Sequence, residues 1–189
     1  MLRLWEWDKE VFDFINQGLR SPWADAFFRF FTWLGLGWVQ IGILLLIWLK
    51  EEKLRESMMT CFIGWSIASV ITHTLKFTID RVRPSTLLHA FVAQDEKILI
   101  YSFPSGHTAT SFAIACALAL SLPKHRLLVS SIAFVVAFLV GVSRIYRGVH
   151  WPTDIIASAL LGFSSGILAH LLMNNWKERR ARLAGGAEK

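Results

Sequence analysis

Cations, imidazoles and a carboxylate recur at short intervals between residues 76 and 154. Lys76 stands seven residues before Arg83-Pro84, Pro104-Ser105-Gly106-His107 forms a second group, and Ser143-Arg144 is followed by His150 and then Asp154. Lys76, Arg83 and Arg144 suit the non-bridging oxygens of a phosphate, because each guanidinium offers a planar fork and the ammonium a compact charge. A helix beginning near Pro104 would turn the unsatisfied N–H groups of Ser105, Gly106 and His107 toward the same anion. Gly106 lets a ligand approach the backbone, and the Ser105 hydroxyl adds a donor. His150 and Asp154, four apart, can form a nucleophile and its orienting partner, leaving His107 to protonate a leaving oxygen and then to activate water. No cluster of His, Cys or carboxylate ligands suggests a metal, and three cations can supply the charge neutralisation a metal would give. No cofactor is expected.

These groups need elements that bring them together. Stretches free of Lys, Arg, Asp and Glu cover residues 30–49, 57–75, 104–122, 127–143 and 155–176, and a helix needs about 20 residues to cross a bilayer core. The sequence thus predicts an all-α, polytopic transmembrane helix bundle with five spans. Pro104 and Pro152 read as first-turn residues of the third and fifth spans, and Gly35 and Gly37 as a bend in the first. Lys76 and Arg83 follow span two, His107 precedes span three, and two further crossings return Arg144 and His150 to the same face. Arg81 and Ser143 fall beside these residues as supports standing behind the phosphate ligands, with a solvated loop charge the alternative for Arg81.

The remaining chain divides accordingly. Residues 1–22 place Leu4, Trp5, Val11, Phe12, Ile15 and Leu19 at helical intervals among charges, the pattern of an interfacial amphipathic helix. Residues 23–176 form the transmembrane unit, and 177–189 a frayed, basic cytoplasmic tail. A hydrophobic fraction of 54% and a mean hydropathy of +0.45 exclude disorder and an ordinary soluble domain. The net charge of +6 reads as loop and head-group charge, not as a nucleic-acid surface. Cys61 and Cys116 lie in apolar stretches without metal-ligand spacing and are expected to be buried and reduced. The charged N-terminus lacks the apolar core of a cleavable signal. Basic residues after spans one and three and in the tail predict a cytoplasmic C-terminus, which puts the reactive face outside the cell membrane.

The groups Lys76-x6-Arg83-Pro84, Pro104-Ser105-Gly106-His107 and Ser143-Arg144-x5-His150-x3-Asp154 together resemble the signature of the type 2 phosphatidic acid phosphatase (PAP2) superfamily, the lipid phosphate phosphatases. The resemblance implies a PAP2/haloperoxidase-like helical core. It implies His150 as a nucleophile forming a phosphohistidine, Asp154 as its partner and His107 as general acid. Lys76, Arg83, Ser105, Gly106 and Arg144 would bind phosphate without metal. Haloperoxidases of the superfamily resemble soluble proteins, and the predicted spans argue against that activity.

The expected partner is a membrane lipid phosphate or diphosphate arriving laterally in the bilayer: undecaprenyl diphosphate, phosphatidylglycerol phosphate, phosphatidic acid or a lipid A phosphate. The residues leave the choice open, with selectivity assigned to the 85–102 connection and the N-terminal aromatic segments. They also leave open a phosphotransferase using the same site, or a non-catalytic phospholipid-binding transporter or assembly protein. Oligomeric state is not legible.

Overall fold

The computed structural model describes residues 2–96, 101–123 and 126–186. The basic turn at Lys124 and His125, residues 97–100 of the connection assigned to selectivity, and Lys189 lie outside the described residues.

Helix α1 (Leu2–Asp13) runs into a π-helical turn (Phe14–Gly18), and α2 (Pro22–Leu34) follows. Ser21 starts α2 in the way short hydroxyl residues do, its Oγ accepting from the Ala24 N–H at 3.1 Å with Pro22 at the first helical position. Helix α3 (Gly37–Lys50) leaves α2 at a 61° bend. Then come α4 (Arg55–Thr78), the short α5 (Pro84–Leu87), α6 (Gly106–Ser121), α7 (Arg126–Tyr146) and α8 (Pro152–Gly186).

Helix α6 lies at the centre, packed against α4, α7 and α8. Its small residues make this possible: Ala109, Ala113, Ala115 and Ala117 are fully buried. Gly162 and Gly166 of α8 bring that helix backbone against α6. A methyl group at Gly162 would stand 2.4 Å from the Ala109 carbonyl, and one at Gly166 2.7 Å from Cys116 Cβ. The polarity of the bundle is inverted relative to a water-soluble one. Leu127, Leu128, Ile132, Val135 and Phe138 of α7 and Leu160, Leu168 and Leu171 of α8 are exposed, whereas Thr60, Thr72, Thr108, Ser158 and Ser165 are buried. An apolar exterior around a partly polar interior belongs in lipid, where polar side chains must find partners inside the protein. The chain is a multi-pass membrane protein. Cys61 and Cys116 are buried and unpaired, as expected.

The spans differ in number from the five crossings expected, the first of them bent. Among the described residues, Glu52–Thr78, Leu127–Tyr146 and Pro152–Ala184 are long and apolar enough to cross a bilayer, and the bent α2–α3 pair would make a fourth. Helix α6 has 16 residues, about 24 Å at the helical rise, short of a core of about 30 Å. Enclosed by three neighbours, α6 has no need to reach both lipid interfaces. Pro104 is not its first-turn residue: the helix begins at Gly106, and Pro104 follows a cis peptide bond. Pro152 does open α8. That helix continues to Gly186, so residues 177–186 are helical instead of frayed. The extension carries good helix formers and stacks Arg180 on Trp176, with the guanidinium carbon 4.7 Å from the ring centre.

Replacing Gly162 by Val should force α8 away from α6, at a cost of about 1–3 kcal/mol. Thermal unfolding in detergent measures it. An unchanged midpoint would contradict the close α6–α8 contact.

Candidate active site

The last turn of α4, the first turn of α6, the last turn of α7 and the first turn of α8 meet at one end of the bundle. At the opposite end, Lys177 of α8 pairs with Glu56 of α4. The meeting point encloses a cavity of about 410 Å³. Lys76, Arg83, Gly106, His107, Arg144 and His150 line it, together with Thr32, Trp33 and Leu36 from the α2–α3 bend and Asp95, Glu96 and Arg147. Ser105, Ser143, Arg81 and Asp154 stand behind this wall.

Local structure explains each placement. Between α7 and α8 the chain turns tightly, with the N–H of Gly148 bonded to the Ile145 carbonyl at 2.9 Å and that of Val149 to the Arg144 carbonyl at 3.2 Å. Gly148 has φ +80°, and a Cβ there would lie 2.1 Å from the Phe91 carbonyl oxygen, so this turn requires glycine. It carries His150 back over the cavity. The Arg83 guanidinium donates to the Val149 carbonyl at 2.6 Å and the Tyr101 carbonyl at 2.9 Å, and Lys76 Nζ donates to the same Tyr101 oxygen at 3.4 Å. At Gly106 a Cβ would meet nothing within 4 Å, leaving the backbone at the start of α6 open to a ligand. Ser105 points elsewhere. It is fully buried, its N–H donates to Ser158 Oγ at 2.7 Å, and its hydroxyl accepts from Thr108 at 3.0 Å. Ser143 likewise bonds inward, to the Val140 carbonyl at 2.6 Å.

His150 Nδ1 lies 3.6 Å from Asp154 Oδ2 and has no hydrogen-bond partner among the described residues. That orientation leaves Nε2 for the cavity. Burial pushes the His150 imidazole down to about 4, and the Asp154 carboxylate opposes the push without cancelling it. The ring is therefore neutral at pH 7, as a nucleophile requires. Asp154, with 0% of its surface exposed, accepts from Arg81 at 2.5 Å, from the Trp151 N–H at 3.0 Å and from the Ser102 hydroxyl.

Arg81 is held by carboxylates behind the cavity wall and is not a free loop charge. Besides Asp154 it grips Asp8 at 2.5 Å. Asp8 also receives the Thr153 N–H at 2.9 Å and the Thr153 hydroxyl at 2.7 Å, so it caps α8 from a distant helix. Sequence reasoning missed Asp8, although a signal was present: Trp5, Asp8 and Phe12 share one face of α1, and an aspartate in an apolar stripe needs a buried partner. Trp5 and Phe12 both pack on Trp151, with ring centres 5.0 and 5.5 Å away. Ser102, Thr32, Glu96 and Arg147 were also missed. Thr32 accepts from Arg144 at 2.5 Å. Burial raises the Glu96 carboxyl, but the Arg144 and Arg147 guanidiniums outweigh it and hold the group below its ordinary range. Among the described residues no group of three or more His, Cys, Asp or Glu side chains is arranged to hold a metal ion.

In ¹⁵N-histidine NMR of the detergent-solubilised protein, His150 should stay neutral at pH 6 and titrate far below an ordinary histidine. Asp154→Asn should move its midpoint lower still, since the carboxylate favours the imidazolium. A wild-type midpoint near the usual value of about 6.5 would contradict the burial argument.

Comparison with known proteins bears on this geometry. The family model of the PAP2 superfamily matches residues 57–178. The phosphatidylglycerophosphatase B of Bacillus subtilis is 31% identical over 175 residues, covering 87% of this chain and 80% of the relative. An undecaprenyl-diphosphatase of Sulfolobus acidocaldarius is 34% identical over 125 residues, covering 66% of this chain and 58% of that protein's length. The crystal structure of Aquifex aeolicus LpxE superposes with a TM-score of 0.74 at 34% identity, over 85% of this chain and 92% of that one. The fold and the sequence agree in this respect: the chain belongs to the PAP2 superfamily, alongside membrane phosphatases.

Proposed function

We propose that this protein removes the terminal phosphate from a membrane lipid phosphate or diphosphate through a phosphohistidine at His150. One observation carries the reading: Lys76, Arg83, Arg144, His107 and His150, far apart in sequence, line a single cavity at one end of a membrane bundle. Three cations neutralise the phosphoryl oxygens, and the N–H groups of Gly106 and His107 at the start of α6 add donors. Ser105, which precedes that first turn, shapes the helix start. His150 Nε2 attacks phosphorus while the bond to the leaving oxygen breaks, and His107 delivers a proton to that oxygen. His107 then takes a proton from water, whose oxygen attacks phosphorus, and the P–N bond breaks to release inorganic phosphate. Asp154 holds His150 and balances the charge that develops on the ring. No step calls for a metal.

The lipid reaches the cavity from the bilayer past Trp33 and Leu36, the apolar part of its rim. In this reading the cavity faces outward, the C-terminus is cytoplasmic, and α1 lies in the interface with its charged face wet. Relatives act on different lipids, as the names phosphatidylglycerophosphatase B and undecaprenyl-diphosphatase state. Undecaprenyl diphosphate, phosphatidylglycerol phosphate, phosphatidic acid and a lipid A phosphate all present the group this cavity suits.

His150→Ala should abolish phosphate release from such lipids while the protein still folds. Release near the wild-type rate would remove His150 from the mechanism. Asp8→Asn weakens the grip on Arg81 and, through it, on Asp154. It should lower kcat by about tenfold, or about 1.4 kcal/mol of barrier, with KM within about twofold. A change confined to KM would show that Asp8 acts on binding instead. EDTA should leave turnover unchanged, and inhibition reversed by added Mg²⁺ would contradict the metal-independent route.

A further inference from the structure

Arg147 belongs to none of the three groups that the sequence singled out, yet its side chain is 4% exposed and faces the cavity. It lies one helical turn beyond Arg144, and the two guanidiniums share an anion. Glu96 Oε1 accepts from Arg144 Nη1 at 2.6 Å and from Arg147 Nε at 2.6 Å, and Oε2 accepts from Arg144 Nη2 at 2.8 Å. Arg147 also holds Asp95. The Glu96 side chain is 10% exposed. A carboxylate seated in an arginine fork with two parallel bonds occupies the geometry in which arginine takes a phosphate edge.

The charge balance shows what substrate must do here. Lys76, Arg83, Arg144 and Arg147 line the cavity against the carboxylates of Asp95 and Glu96. Arg144 Nε is buried without a hydrogen-bond partner among the described residues and is open to the reacting phosphate, and a phosphate that also takes the Nη edge of Arg144 displaces Glu96. Arg147 then keeps only Asp95, whose side chain is 43% exposed and is shared with Arg29 at 3.6 Å. A buried guanidinium stripped of its close partner is costly, so another anion must replace it. Because both arginines now grip one carboxylate oxygen, that anion has to adjoin the reacting phosphate. Room exists for it: Arg147 and Asp95 also line a second cavity of about 500 Å³, bordered by Arg20, Arg29 and Tyr146.

We propose that Arg147 forms a second anion subsite, at present filled by Glu96, which takes a phosphate adjoining the scissile one. The substrate class is then a lipid with two neighbouring phosphates, either a diphosphate or a phosphomonoester beside a phosphodiester. A lipid bearing one phosphate leaves the subsite to Glu96 and Asp95. This deepens the phosphatase reading and rests on it for the identity of the lipid, though the subsite itself is a matter of anion binding.

The test has a binding arm and a turnover arm, both with the full-length protein in detergent. In calorimetry, inorganic pyrophosphate should bind about tenfold tighter than orthophosphate, and Arg147→Gln should reduce that advantage to about twofold or less. Glu96→Gln removes the resident competitor and should tighten both anions by about tenfold. Arg147→Gln that keeps the full pyrophosphate advantage, or Glu96→Gln that weakens anion binding, overturns the subsite. Should Arg147→Gln fail to fold, Glu96→Gln decides alone. In turnover, kcat/KM for undecaprenyl diphosphate over undecaprenyl monophosphate should exceed about ten, and the same ratio for phosphatidylglycerol phosphate over phosphatidic acid distinguishes the two kinds of doubly phosphorylated lipid. Equal kcat/KM for one-phosphate and two-phosphate lipids in both pairs overturns the assignment. Absence of any phosphate release from the folded protein would refute the phosphatase reading, while the pyrophosphate comparison still decides the subsite.

Discussion

A carboxylate with no exposed surface, at the end of a membrane bundle, exists only if every lone pair is answered, and Asp154 is that carboxylate. Its partners come from separate parts of the chain. Arg81 arrives after α4, Ser102 before α6, and the Trp151 N–H and His150 from the turn into α8. Satisfying one ion therefore fixes three connections relative to one another, and the cavity is what they enclose. Arg81 brings its own requirement, since a guanidinium between two carboxylates holds both. Asp8 supplies the second carboxylate and ties the N-terminal helix to the start of α8. The aromatic contacts of Trp5 and Phe12 with Trp151 bury the same junction in apolar surface.

The bundle beneath serves this end. A short α6 of alanines and glycine-lined contact with α8 let helix backbones approach closely, so side chains at their outer ends converge over a small space. Lipid-facing leucines and phenylalanines add little to that convergence, because lipid tails are as apolar as they are. Shape and internal polar bonds do the positioning. Among the latter, Gln40 links the Ser111 hydroxyl at 2.8 Å to the Trp65 indole at 2.9 Å, across three helices.

What could be read in the sequence followed from local rules. Counting crossings brings Lys76, Arg83, His107, Arg144 and His150 to one face, and the structure places all five on one cavity. Gly35 and Gly37 announced the bend between α2 and α3. Other features depend on partners far along the chain. Asp8 meets Thr153 across 145 positions and Arg81 across 73, and Glu96 meets Arg144 across 48. No periodicity reports such pairs. Ser105 shows a different limit, because its type suited a phosphate donor while its surroundings turned it toward Ser158 and Thr108. The length of α6 was overestimated because an apolar stretch does not say whether it faces lipid or other helices. A short, polar tail does not say in the sequence whether the helix before it runs on, and α8 continues to Gly186.

The chemistry stands or falls on a covalent bond between phosphorus and the His150 ring. A lipid carrying ³²P in its terminal phosphate, mixed with the protein and quenched in alkali within milliseconds, would leave that bond intact for mass spectrometry of the digested chain. The expected result is label on the peptide containing His150, stable in alkali and lost in acid. Full turnover with no labelled protein, or label on any other residue, would contradict it.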